Sequence, residues 1–108
     1  RKQENEAEIA TYNKYLNQLH NNYNFLNKYS WRMAELNINL EDALLKINHA
    51  LQLLEKTATQ YPDILDTKAE ILWKMGKNNE AIKTINQAID INTSSKYYKA
   101  QKEKFNNS

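Results

Sequence analysis

Apolar residues recur every three or four positions along most of the chain, which is the spacing of one face of an α-helix. The first such stripe, over residues 6–23, consists of Ile9, Tyr12, Leu16, Leu19 and Tyr23. Similar stripes follow over residues 24–37, 40–59, 64–75, 79–91 and 96–105. No segment shows sustained alternation with a period of two, so strands are not expected. The pattern therefore predicts an all-α fold of five or six helices.

Residues with special backbone preferences mark several predicted helix ends. Asn37 stops the second helix, and Pro62 breaks the chain before the fourth. Asp63 and Asp66 have the spacing of a capping box at the start of that helix. Gly76 follows it and can supply the left-handed residue with which helices commonly end.

One helix of the chain is repeated. The stretch EAIKTINQAI at residues 80–89 echoes DALLKINHAL at residues 42–51, thirty-eight positions earlier. The matched pairs are Ala43 and Ala81, Ile47 and Ile85, Asn48 and Asn86, and Ala50 and Ala88. Small residues seven apart let a second helix approach closely, and a helix pair that cannot bury its face alone is stabilised by stacking on its copy. The echo predicts two stacked helix pairs.

At these residues the chain resembles the tetratricopeptide repeat family, whose unit is a helix pair of about 34 residues. Residues 62–95 match best, with Ala69, Ala81 and Ala88 at small positions and Gly76 at the turn. The other unit is degenerate, since Ser30 takes the small position and Asn37 replaces the turn glycine. The resemblance implies an N-terminal packing helix (1–22), two helix pairs (23–61 and 62–95) and a C-terminal capping helix (96–108). An unrelated antiparallel helical bundle is the alternative.

The resemblance also implies a peptide-binding groove along the inner helices. The matching groove positions are Asn24, Asn27, Trp31, Asp63, Asp66, Glu70 and Trp73. Such a groove would be acidic with an aromatic anchor, and it should bind a protein or peptide that carries Lys or Arg. On the competing interpretation, both tryptophans belong to the core and the aspartates cap the fourth helix. The clamp of Lys, Asn and Arg that receives acidic chaperone tails is absent, so a chaperone-tail receptor is not expected.

The composition argues against a catalytic site, a phosphate-binding loop and a metal site. Without cysteine the chain has neither disulfides nor a thiolate nucleophile, and a single glycine excludes a glycine-rich phosphate loop. His20 and His49 lack partners at metal-ligand spacing, and no Ser, His and Asp arrangement is suggested. A net charge of +2 is weak for nucleic-acid binding, and no apolar run approaches the ~20 residues of a membrane span. We expect no enzyme, cofactor, metal, nucleic-acid or membrane function.

The two ends of the chain allow other hypotheses. Tyr97, Tyr98 and Phe105 lie among lysines and could bind nucleic acid, but packing of the last helix onto the second pair is the preferred interpretation. The first apolar stripe could instead pair with a second copy, giving a homo-oligomer. Because the sequence starts at Arg1 without a methionine, we expect a fragment of a longer protein. Residues 64–82 resemble the repeat pair that follows a thioredoxin-like or other enzymatic domain in some bacterial multidomain proteins. The resemblance implies, as the alternative function, a structural or dimerising appendage of such a catalytic domain.

Overall fold

The computed structural model describes residues 2–107, which form six α-helices and no strand. The helices are α1 Lys2–Leu16, α2 Tyr23–Leu36, α3 Leu40–Gln52, α4 Tyr61–Lys74, α5 Asn78–Ile91 and α6 Lys96–Asn106. The all-α prediction is confirmed, and Arg1 and Ser108 lie outside the described residues. None of the described helices is long and apolar enough to cross a lipid bilayer.

The helices pack as two adjacent pairs with an extra helix at each end. α2 packs on α3 and α4 packs on α5, while α4 also contacts both helices of the first pair. α6 packs on α5, and α1 makes its contacts with α2. This order is that of stacked helix-pair repeats, in which each unit buries the apolar face of its neighbour.

Most of the residues repeated in the sequence have no exposed surface, whereas the repeated Asn48 and Asn86 are partly exposed. The fully buried ones are Ser30, Ala43, Ile47 and Ala50 in the first pair, and Ala69, Ala81, Ile85 and Ala88 in the second. Ser30 Oγ also donates a hydrogen bond of 3.1 Å to the carbonyl of Ala43, which ties α2 to α3. The small side chains thus lie at the buried contacts of both pairs, as the echo predicts.

Two helices are shorter than their apolar stripes indicate. α1 ends at Leu16 rather than near Tyr23, and α3 ends at Gln52 rather than continuing toward residue 59. Leu19 and Leu54 are nevertheless partly buried from the turns that follow, and Leu54 packs against the core cluster that includes Leu26, Tyr29 and Ile47. Helical spacing of apolar residues therefore continued into turns, because a turn that folds back on the core also buries side chains.

The capping-box interpretation of Asp63 and Asp66 is wrong. α4 begins at Tyr61 with Gln60 as its N-cap and Pro62 in its first turn, so Asp66 lies in the second turn. Proline suits that first turn because the missing N–H would have no helical acceptor there. Both carboxylates are therefore available for contacts with other helices.

Gly76 adopts the left-handed conformation that its position requires, with φ of +79°. A methyl group at this position would meet no atom within 4 Å, so an alanine would be disfavoured by the backbone conformation alone. We expect Gly76→Ala to lower the free energy of unfolding by about 1 kcal/mol, measured by urea denaturation.

The equivalent turn of the first pair provides the reciprocal control. Asn37 has φ of +57°, and Asn37→Gly should leave the free energy of unfolding unchanged or raise it, since glycine adopts positive φ without steric cost. A neutral Gly76→Ala together with a destabilising Asn37→Gly would contradict this explanation of the two turns.

Candidate functional site

A cleft of about 460 Å³ opens on the face where α2 packs on α4, and α1 and α6 contribute to its walls. The side chains that define it are Tyr12 from α1, Asn27 and Trp31 from α2, Asp63 and Asp66 from α4, and Tyr97 from α6. Four of the seven groove residues predicted from the sequence thus line one cavity. The other three, Asn24, Glu70 and Trp73, do not line it.

Asn27 carries an unsatisfied acceptor at this cleft. Its Oδ1 atom is buried and has no hydrogen-bond partner among residues 2–107. A buried acceptor without a donor costs about 1–3 kcal/mol, so this atom destabilises the folded chain.

Asp66 is a buried carboxylate whose direct partners are neutral. Its side chain accepts a hydrogen bond of 2.9 Å from Gln101 Nε2, and the residue is only 6% exposed. Burial raises the pKa of Asp66 to about 6, although contacts with Gln101 and Tyr97 partly oppose the shift. The nearby charges of Glu70 and Asp63 raise this pKa further. None of the ion pairs found within the described residues includes Asp66.

α6 covers the remaining part of the predicted groove. Glu70 accepts hydrogen bonds from Gln101 Nε2 at 3.0 Å and from Lys104 Nζ at 2.7 Å. The ring of Trp73 lies 5.8 Å from that of Phe105, centroid to centroid, and Lys104 Nζ lies 4.4 Å from the Trp73 centroid. Glu70 and Trp73 therefore hold the last helix in place.

Asp63 contacts α6, whereas Asn24 lies at the surface away from the cleft. Asp63, on the cleft side, accepts a hydrogen bond from the hydroxyl of Tyr98. The Ser95 hydroxyl caps α6 by accepting from the backbone N–H of Tyr98 at 3.2 Å. Asn24 is exposed at the start of α2.

α1 closes one side of the cleft through Tyr12. The Tyr12 ring contacts the rings of Phe25 and Tyr29 at centroid distances of 5.9 and 5.5 Å. Glu8 on the same helix accepts two hydrogen bonds from the guanidinium of Arg32, at 2.6 and 3.1 Å. These hydrogen bonds lower the pKa of Glu8 and neutralise much of the positive charge of Arg32, which also lines the cleft.

Sequence reasoning did not select the other residues that line the cleft, among them its two tyrosines, Tyr12 and Tyr97. Tyr12 was identified as part of an apolar stripe, and Tyr97 as one of two tyrosines that could pack the last helix. Tyr98 and Phe105 are indeed buried against the second pair, whereas Tyr97 is 53% exposed and lines the cleft. The adjacent tyrosines differ because α6 presents them about 100° apart around its axis.

The two histidines lie apart from the cleft. His20 is exposed, and a ring nitrogen of His49 lies 2.8 Å from Oδ1 of Asn21. Within residues 2–107 there is no group of three side chains able to hold a metal ion.

Comparisons of the chain with protein-family models, with curated proteins and with solved structures found no match. The candidate site is therefore defined by the contacts of this chain and by its internal repeat.

Proposed function

We propose that the chain is a protein-interaction module of the tetratricopeptide type, which binds a segment of a partner protein in the cleft between α2 and α4. The two stacked helix pairs, with small buried residues at equivalent positions, support the family assignment. The observation that carries the function is the cleft of about 460 Å³ in which the rings of Tyr12, Trp31 and Tyr97 line one cavity together with the carboxylates of Asp63 and Asp66. A polypeptide segment supplies side chains for the rings and hydrogen-bond donors for the carboxylates.

The chemistry of the cleft suits binding better than catalysis. Trp31 is partly buried and presents a ring surface of the kind that anchors partner segments. No Ser, Cys or His is among the described lining residues, and the hydroxyl of Thr67 donates to the carbonyl of Asp63 at 3.3 Å. The alternative function, a structural or dimerising appendage of a catalytic domain, stays a prediction.

A selection from displayed peptides tests the proposed function. A library of random twelve-residue peptides is selected on the immobilised chain, and the affinities of enriched peptides are measured by fluorescence polarisation. We expect Trp31→Ala to weaken binding at least about tenfold, because loss of an aromatic anchor commonly costs 2 kcal/mol or more.

The matched control is Leu45→Ala, which also truncates a large apolar side chain. Leu45 is 68% exposed on α3, and none of the described residues of α3 lines the cleft. This variant should therefore bind the selected peptides as tightly as the unmodified chain does. If no peptide is enriched, or if both variants bind equally, the cleft does not have the proposed function.

A further inference from the structure

We propose that the cleft receives the side-chain ammonium of a lysine from the bound segment, with Asp66 as its principal acceptor and Trp31 against its alkyl stem. The inference rests on the proposed function, since it names the chemistry that the interaction module recognises.

Two of the carboxylates that line the cleft have no positively charged partner among the described contacts. Three carboxylates line it, those of Glu35, Asp63 and Asp66. Arg32 is engaged by Glu8 and lies 3.4 Å from Glu35, whereas the hydrogen bonds described for Asp63 and Asp66 come from uncharged side chains. An ammonium entering from outside would supply the missing positive charge at the two aspartates.

The acceptor set suits an ammonium in particular. A lysine ammonium has three donors and no acceptor, and it can turn freely about its last bond. It can therefore donate to the carboxylates of Asp63 and Asp66 on α4 while its alkyl stem lies against Trp31 on α2. A neutral apolar side chain of the same length would offer those carboxylates neither a donor nor a positive charge.

The chain already shows the same recognition one helical turn away. Lys104 Nζ lies 2.7 Å from a carboxylate oxygen of Glu70 and 4.4 Å from the ring centroid of Trp73. Glu70 follows Asp66 by four residues on α4, so both carboxylates lie on one face of that helix. At the cleft, Asp66 and Trp31 offer a carboxylate and an indole again. Lys28 also lines the cleft, but it is exposed and belongs to none of the ion pairs formed by residues 2–107.

An NMR titration of the chain with two small probes tests the inference. The probes are Nα-acetyl-lysine N-methylamide and its norleucine analogue, which has a similar side-chain length but no charge. The two tryptophans provide separate indole N–H signals, with Trp31 in the cleft and Trp73 against α6 as the internal reference. We expect the lysine probe to shift the Trp31 signal with a Kd of about 1–10 mM, and the norleucine probe to bind at least about tenfold more weakly.

A pair of variants assigns the effect to Asp66. Asp66→Asn keeps an acceptor for Gln101 and removes the charge, so it should lower the affinity for the lysine probe at least about fivefold. Asp90→Asn makes the same chemical change at an exposed position of α5 that lies outside the cleft, and it should leave the affinity unchanged. The Trp73 signal and thermal unfolding report that both variants are folded.

Three outcomes would overturn the inference. These are equal binding of the two probes, equal shifts at both tryptophans, and an unchanged lysine affinity in Asp66→Asn. The selected peptides separate this failure from failure of the proposed function. If their binding requires Trp31 but is unchanged when each lysine is replaced by norleucine, the proposed interaction function is supported and the proposed lysine site is not.

Discussion

Replacing Phe105 with alanine should lower the free energy of unfolding by about 3–5 kcal/mol, the usual range for a buried phenylalanine. Phe105 is 1% exposed and belongs to the core cluster that includes Leu65 and Ile85 of the second pair, in contact with the ring of Trp73. Its carbonyl also accepts a hydrogen bond of 3.3 Å from Asn78 Nδ2, which joins the end of α6 to the start of α5. The substitution leaves a cavity between the last helix and the second pair.

Urea denaturation followed by tryptophan fluorescence measures this effect, because Trp73 lies beside the substituted ring. Lys99→Ala is the control, since Lys99 is exposed on the same helix and its truncation should change the free energy of unfolding by less than about 0.5 kcal/mol. A loss below about 1 kcal/mol for Phe105→Ala would mean that α6 does not unfold together with the helix pairs.

Asp66→Asn should have the opposite effect and stabilise the protein near neutral pH. Burial raises the pKa of Asp66 from 3.8 to about 6, which means that ionising this carboxyl is unfavourable in the folded state. At 1.36 kcal/mol per pKa unit, the cost above pH 6 reaches about 3 kcal/mol. Asparagine keeps a hydrogen-bond acceptor for Gln101 and avoids that cost.

The expected pH dependence follows from proton binding in the two states. Between about pH 4 and pH 6 the folded Asp66 carboxyl retains a proton that the unfolded one has released, so its contribution to stability is lost as pH rises through this range. The free-energy difference between Asp66→Asn and the unmodified chain should therefore be small near pH 4 and largest above pH 6.

Asp42 affects the stability of the protein in a lower pH range than Asp66 does. At Asp42 the cost of burial is outweighed by hydrogen bonds from Tyr29 and Lys46, which lower its pKa, so its stabilising contribution is lost only as pH falls below about 4. Urea denaturation of Asp66→Asn and of the unmodified chain across pH 4–8 isolates the contribution of Asp66 to the free energy of unfolding. Asp90→Asn is the control. A difference that does not change with pH would contradict the raised pKa.

The two predictions for Asp66 connect stability with binding. A buried carboxylate that destabilises the free protein is typical of a functional site, where a ligand provides the missing interaction. Asp66→Asn should therefore give a more stable chain that binds lysine less tightly. Improved stability with unchanged binding would assign Asp66 a structural role only.

Much of the fold could be predicted from local patterns. The helical spacing of apolar residues, the small residues of the echo and the turn residues Asn37 and Gly76 are all satisfied by the observed helix pairs. These features are local because hydrogen bonding within a helix and left-handed turns depend on residues only a few positions apart. The ends of α1 and α3 were mispredicted where apolar residues in turns kept the helical spacing.

The site required information that no local pattern contains. The sequence by itself determined the helical stripes and the internal repeat, whereas the choice of Asp66, Glu70, Trp31 and Trp73 as groove residues followed from the family resemblance and stays a prediction. Only the tertiary structure decided that α6 lies against Glu70 and Trp73, and that Asp66 and Trp31 share a cleft with Tyr12 and Tyr97. The physical reason is that charge, burial and exposure of a side chain on one helix depend on which other helix packs beside it.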